Sequence, residues 1–128
     1  MSEIERDLDV VSEVLSFLVA QDNYGYVDKI GQAPTPDLLI FYLKEAFRDF
    51  HSLLRAPKPD QPNKFYDELN RFYNEIKERK KDLDSALDAI YDWVRRGDRK
   101  KLREVCSIIS AKALAKSLSL KAEEGGGK

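Results

Sequence analysis

From Ile4 onward, apolar residues recur at alternating steps of four and three. Ile4, Leu8, Val11, Leu15 and Leu18 share one helical face, while Glu3, Asp7, Asp9 and Glu13 supply an acidic side. Ser2 followed by Glu5 is a capping box, so this pattern predicts a helix from the start of the chain to about Gln21. The glycine-marked stretch 23–31 is too short for a full helix and reads as a turn or single helical turn that ends at Gly31 and tucks its apolar residues onto the core. Thr35-Pro36-Asp37 is a strong helix start: Thr35 caps, Pro36 has no amide hydrogen to lose, and Asp37 faces the positive end of the helix dipole. The helix predicted over 36–55 carries Leu39, Leu43, Phe47, Phe50 and Leu54. Its run Leu38–Leu43 is apolar almost all round, which makes it the expected hub of the core. The prolines at 57, 59 and 62 then mark a linker too short to separate independent domains.

A repeat of period seven follows, Phe65-Tyr66-Asp67-Glu68-Leu69-Asn70-Arg71 and then Phe72-Tyr73-Asn74-Glu75-Ile76-Lys77. Its stripe Phe65, Leu69, Phe72, Ile76 continues through Leu83, Leu87, Ile90 and Val94. Either one helix spans about 63–96 or two meet near Lys81-Asp82; the switch from Lys77, Arg79, Lys80 and Lys81 to Asp82 and Asp84 favours two helices or a bend. Gly97-Asp98 stops and restarts the chain, with Asp98 as cap of a last helix whose stripe is Leu102, Val105, Ile109, Ala113 and Leu114. Residues 123–128, with three successive glycines, are expected to be a disordered tail behind a domain of residues 1–122. No segment alternates with the period of two that a strand needs. The expectation is an all-α, single-domain bundle of about five helices.

Composition narrows the class. Of 128 residues, 42% are hydrophobic and 35% charged, which describes a globular protein with a heavily charged exterior. Cys106 is the only cysteine, so an intrachain disulfide is excluded, and no apolar run reaches the roughly 18 residues of a membrane span. The acidic start lacks the basic and apolar regions of a secretory signal, so the cytoplasm is the expected compartment. Abundant Lys, Arg and Glu beside few Asn, Gln, Cys and Met leans toward a thermophilic source.

Charge is sorted along the chain although the net value is only −1. Residues 1–60 hold six Lys and Arg against eleven Asp and Glu, and residues 61–128 hold sixteen against twelve. Six basic residues fall in the nine positions 95–103, and Lys80 and Lys81 add to them. Cations gathered within about a Debye length, roughly 8–10 Å, add their fields, so Lys80, Lys81, Arg95, Arg96, Arg99, Lys100, Lys101 and Arg103 form a candidate nucleic-acid-binding face. The competing reading is a solvated charge run at a helix end. Arg95 and Arg96 suit a helix C-terminus anyway, but cations at 99–103 oppose the dipole of the helix they begin. Phosphates would offset that, as would an acidic patch on another subunit, such as the first helix of a neighbouring copy. Tyr66, Tyr73, Tyr91 and Trp93 lie beside the apolar stripe; Tyr66, Tyr73 and Trp93 are candidate protein-interface residues, with rim packing as the alternative. Trp93, flanked by Arg95 and Arg96, also suits stacking on a base.

Catalytic constellations are missing. His51 is the only histidine, so a triad or a zinc site would have to use it, and neither has a recognisable spacing with Cys106 or the carboxylates. His51 reads as a structural or surface residue at the bundle edge and Cys106 as a small hydrophobe. Paired carboxylates such as Asp82 with Asp84 or Asp88 with Asp92 read as solvated helix surface, and Gly25 and Gly31 form no phosphate loop. The expectation is a non-enzyme with no metal and no cofactor.

The segments 24–31, 35–39 and 41–50 (Tyr24-Gly25-Tyr26-Val27-Asp28-Lys29-Ile30-Gly31, Thr35-Pro36-Asp37-Leu38-Leu39, Phe41-Tyr42-Leu43-Lys44-Glu45-Ala46-Phe47-Arg48-Asp49-Phe50), together with size and helical layout, resemble the small subunit of archaeal type I-A CRISPR surveillance complexes. The likeness is one of overall character over about the first half of the chain. It implies a non-catalytic antiviral-defence protein that joins other subunits of a ribonucleoprotein, contacts single-stranded DNA or RNA, and needs no cofactor. The rival expectation is a homo-oligomeric or adaptor protein that pairs through the Phe65–Ile76 heptads and has no nucleic-acid role.

Overall fold

The computed structural model describes residues 3–56, 64–78 and 83–125. They form six helices and, among the described residues, no strand: α1 (Glu3–Ala20), α2 (Gly25–Gly31), α3 (Pro36–Arg55), α4 (Lys64–Glu78), α5 (Leu83–Arg96) and α6 (Arg99–Gly125). The protein is an all-α single-domain bundle, with one helix more than the pattern suggested because 25–31 closes into a short helix of its own. Residues 79–82, between α4 and α5, lie outside the described residues, as does the proposed capping residue Ser2. Helix α6 takes in 123–125, which the sequence placed in a tail; 126–128 lie outside the description.

The caps are those the sequence announced. Thr35 accepts a hydrogen bond from the Leu38 amide at 3.2 Å, and Asp98 Oδ1 accepts one from the Lys101 amide at 3.0 Å, so each satisfies a donor that the first helical turn leaves open. Helix α1 ends where Asp22 turns left-handed at φ 65°, with its amide donating to the Val19 carbonyl at 2.8 Å.

Helix α1, not α3, is the hub. It packs most extensively on α6 and also meets α2, α3 and α5. Two serines concealed this in the sequence. Ser12 and Ser16 are fully buried, and their hydroxyls donate back to the Leu8 and Glu13 carbonyls at 2.6 Å each, so residues that count as polar are satisfied within the helix and occupy the interior as small side chains. Helix α3 buries Leu39, Leu43, Ala46, Phe47 and Phe50 but leaves Phe41 53% exposed, so its all-round apolar run is not a buried one.

All eight positions of the heptad stripe are interior: Phe65, Leu69, Phe72, Ile76, Leu83, Leu87, Ile90 and Val94. Phe17 stands at the centre of an aromatic cluster, with ring centroids 6.1 Å from Phe50, 5.8 Å from Phe65 and 5.5 Å from Phe72, while Phe50 and Phe72 meet edge-on at 6.0 Å. Four rings thus join α1, α3 and α4. On α6 the core takes Leu102, Val105, Cys106, Ile109 and Ala113; Leu114, 100° around the helix from Ala113, faces outward.

Ion pairs join α1 to α6. Lys112 pairs with Asp9, and Lys116 Nζ lies 3.3 Å from Glu13 Oε1, so the acidic side of α1 is engaged by its own α6. Tyr26 Oη donates to Asp49 Oδ2 at 2.5 Å and ties α2 to α3. Burial, then the hydrogen bond to the Asp49 carboxylate and its charge, push the Tyr26 phenol up to about 12. A folded pKa above the unfolded value of about 10 means that the unfolded chain releases this proton first, so the contribution of Tyr26 is whole below pH 10 and is lost as pH rises toward 12. Urea titrations at pH 9 and pH 11.5 are expected to show a smaller alkaline loss of stability in Tyr26→Phe than in the wild type.

Candidate nucleic-acid interface

The α5–α6 corner is built by Gly97 and Asp98. The chain comes so close at Gly97 that a Cβ there would overlap the Lys101 side chain, and Asp98 caps the restart. This turn brings the end of α5 beside the start of α6, across from the α2–α3 connection. Tyr91 Oη donates to Asp37 Oδ1 at 2.8 Å and fixes the start of α3 against α5. That hydrogen bond, first, and then burial and the Asp37 charge raise the Tyr91 phenol above its ordinary value.

Two adjoining concavities of about 500 Å³ each open along this corner. One is lined by residues that include Pro34, Asp37, Tyr91, Arg95, Asp98 and Arg99; the other by Gly31, Ala33, Pro34, Arg99, Arg103 and Ser107, among others. Arg99 belongs to both, so Arg95, Arg99 and Arg103 follow one another along a single shallow trough. All three are exposed, and none makes an ion pair among the described residues. Steps of four residues turn a helix by only about 40°, which keeps Arg99 and Arg103 on one flank of α6, and Tyr91 and Arg95 on one flank of α5.

The remaining sequence candidates are distributed differently. Arg96 turns back to Asp92 at 3.2 Å on the exposed surface. Lys100 is exposed about 100° around α6 from Arg99, toward solvent. Lys101 lies on the opposite flank, with its ammonium 4.1 Å from the centre of the Trp93 ring. Trp93 is 42% exposed, and this lysine, rather than either neighbouring arginine, covers it. Lys80 and Lys81 lie outside the described residues. The basic run is therefore split into an arginine trough on one flank and a Lys101–Trp93 pair on the other.

Of the aromatic candidates, Tyr66 is half-buried, edge-on to Phe65 at 5.2 Å, and Tyr73 is half-buried with Lys77 Nζ 4.7 Å from its ring centre. Tyr91 is the aromatic residue that lines the arginine trough. The spacing that reveals it, one residue every four through Tyr91, Arg95, Arg99 and Arg103, stands in the sequence but is interrupted by the corner at 97–98.

His51 is exposed beside Phe50. Cys106 is buried beneath the trough, and burial pushes its thiol up to about 11. Among the described residues, no group of three or more His, Cys, Asp or Glu side chains is gathered to hold a metal ion, and no helix is long and apolar enough to cross a membrane.

A protein of Archaeoglobus fulgidus (strain ATCC 49558 / DSM 4304 / JCM 9628 / NBRC 100126 / VC-16), an uncharacterized protein by its description, is 43% identical over 121 residues, which cover 93% of this chain and 91% of that one. The chain belongs to the family of this archaeal protein. At that coverage the aligned stretch takes in the whole α5–α6 corner. No protein-family model matches the chain, and no solved structure does.

Proposed function

We propose that this protein is a non-catalytic helical subunit that contacts the backbone of single-stranded DNA or RNA through Arg95, Arg99 and Arg103. The observation that carries the reading is the trough itself: three exposed arginines in register along one corner, without carboxylate partners among the described residues, beside an aromatic ring and a concave surface. Guanidinium groups suit phosphate because their planar donors match its oxygens in pairs. Two of the three sit in the first turns of α6, where their charge opposes the dipole, and a bound phosphate chain would relieve that opposition. Asp37 and Asp98 border the trough, but Asp37 is held by Tyr91 and Asp98 by the α6 amide, so each has a local task.

The assembly in which such a subunit would serve is the one its sequence resembles, a cytoplasmic type I-A CRISPR surveillance complex, where neighbouring subunits and guide RNA would share the binding. Contacts confined to phosphates carry no base preference, so binding would be independent of sequence. Fluorescence anisotropy with labelled single-stranded DNA and RNA tests this directly. Affinity is expected to fall linearly with log salt, at about 0.7 per phosphate neutralised, with little difference between oligonucleotides of mixed composition. No binding at 20–50 mM salt, or binding without a salt slope, would remove the proposal.

A further inference from the structure

Helix α6 has a second face that the bundle does not use. Between Glu104 and Lys121, every outward position is uncharged: Ser107, Ile108, Ala111, Leu114, Ala115, Leu118 and Ser119 are all exposed, and the two lysines in that interval, Lys112 and Lys116, turn to α1. Leu118 is 67% exposed, and Ile108 and Leu114 lie open beside it. The positions 108, 111, 115 and 118 repeat at three and four, the spacing of a seam between two helices. A helix that is apolar on both sides is normally covered on both.

We infer that a second copy of this chain covers this strip, with the two α6 helices antiparallel and centred near Ala111. Charge selects both the occupant and the direction. Residues 99–104 carry four cations and one carboxylate at the positive pole of α6, and the other end of the helix is its negative pole. A parallel pair would set the basic ends against each other; an antiparallel pair sets each basic end toward the negative pole of the other copy's helix. Shape agrees with this register. About a centre between Ala111 and Lys112, Ile108 stands level with Ala115 of the second copy, a large residue against a small one. The trough of Arg95, Arg99 and Arg103 lies on the flank of α6 and stays open, so pairing does not depend on nucleic acid.

Light scattering and sedimentation of the full chain over 1–200 μM test this. Wild type is expected to be a dimer that dissociates on dilution, and Leu118→Glu a monomer with unchanged circular dichroism and melting temperature, since residue 118 is mostly solvated in the single chain. Direction is read by oxidative cross-linking. Ala111→Cys stands near the dyad and is expected to form an interchain disulfide. Leu118→Cys is not, because its counterpart is about 20 Å away, at about 1.5 Å per residue over about 13 residues, far beyond the roughly 7 Å limit between disulfide-linked Cα atoms. Native Cys106 is buried and does not compete. A wild type that is monomeric throughout, a dimer that persists in Leu118→Glu, or equal cross-linking at 111 and 118 would each overturn the inference.

Discussion

Replacing Arg95, Arg99 and Arg103 together by glutamate is expected to abolish single-strand binding at moderate salt and to flatten what salt dependence remains by about 2 units of slope, at about 0.7 for each of three phosphates. The effect should be large because each substitution both removes a guanidinium and adds a repelling charge within the same trough, where the fields of close neighbours add before salt screens them. All three side chains are exposed, so the triple variant should fold and melt as the wild type does. The control is Arg55→Glu, at the far end of α3, roughly 28 Å from its start at 1.5 Å per residue; it changes the net charge but not the trough. Equal losses in the triple variant and in three glutamates placed elsewhere would mean that only net charge matters. Lys101→Glu separates the other flank: its ammonium covers Trp93, and its loss should leave the salt slope nearly intact.

Removal of Phe17 should give the largest loss of stability for a single side chain. Phe17→Ala is expected to cost about 3–5 kcal/mol, the range for a fully buried ring, against a total of about 5–15 kcal/mol for a domain of this kind. Phe17 is 2% exposed and touches Phe50, Phe65 and Phe72 at once, so its loss opens a cavity at the junction of three helices whose walls are themselves rigid rings. Phe41→Ala, which removes a ring of equal size that is half in water, should stay within about 0.5 kcal/mol of wild type. Urea unfolding followed by far-ultraviolet circular dichroism measures both. A midpoint for Phe17→Ala equal to that of Phe41→Ala would show that the four-ring cluster does not hold α1, α3 and α4 together.

The stripe of α4 and α5 was legible from spacing: two runs of four apolar positions at steps of three and four, interrupted only between Ile76 and Leu83, and all eight buried, because each helix has one periodicity and one side to hide. Thr35 and Asp98 were legible for a similar reason, since a cap is a local contact made within three residues of its own position. The place of α1 was not. Ser12 and Ser16 look polar in a sequence, and only the surrounding helices show that they are interior and satisfied by their own backbone. The rival expectation of pairing through Phe65–Ile76 met the same limit: an amphipathic stripe announces that it will be covered without naming its cover, and here α1 and its neighbours supply it.

By itself the sequence determined the all-α class, the helix boundaries near Pro36, Arg55 and Asp98, and the gathering of cations at 95–103, since each depends on residues adjacent along the chain. Tertiary structure alone decided which helix is central, that the acidic side of α1 meets Lys112 and Lys116 of the same molecule, and that the basic run divides at the Gly97–Asp98 corner into an arginine trough and a lysine on tryptophan. The reason is directional. Spacing states the angle at which a side chain leaves its own helix, but what it meets there depends on the axis and position of another helix, and those are set by packing between segments far apart in the chain.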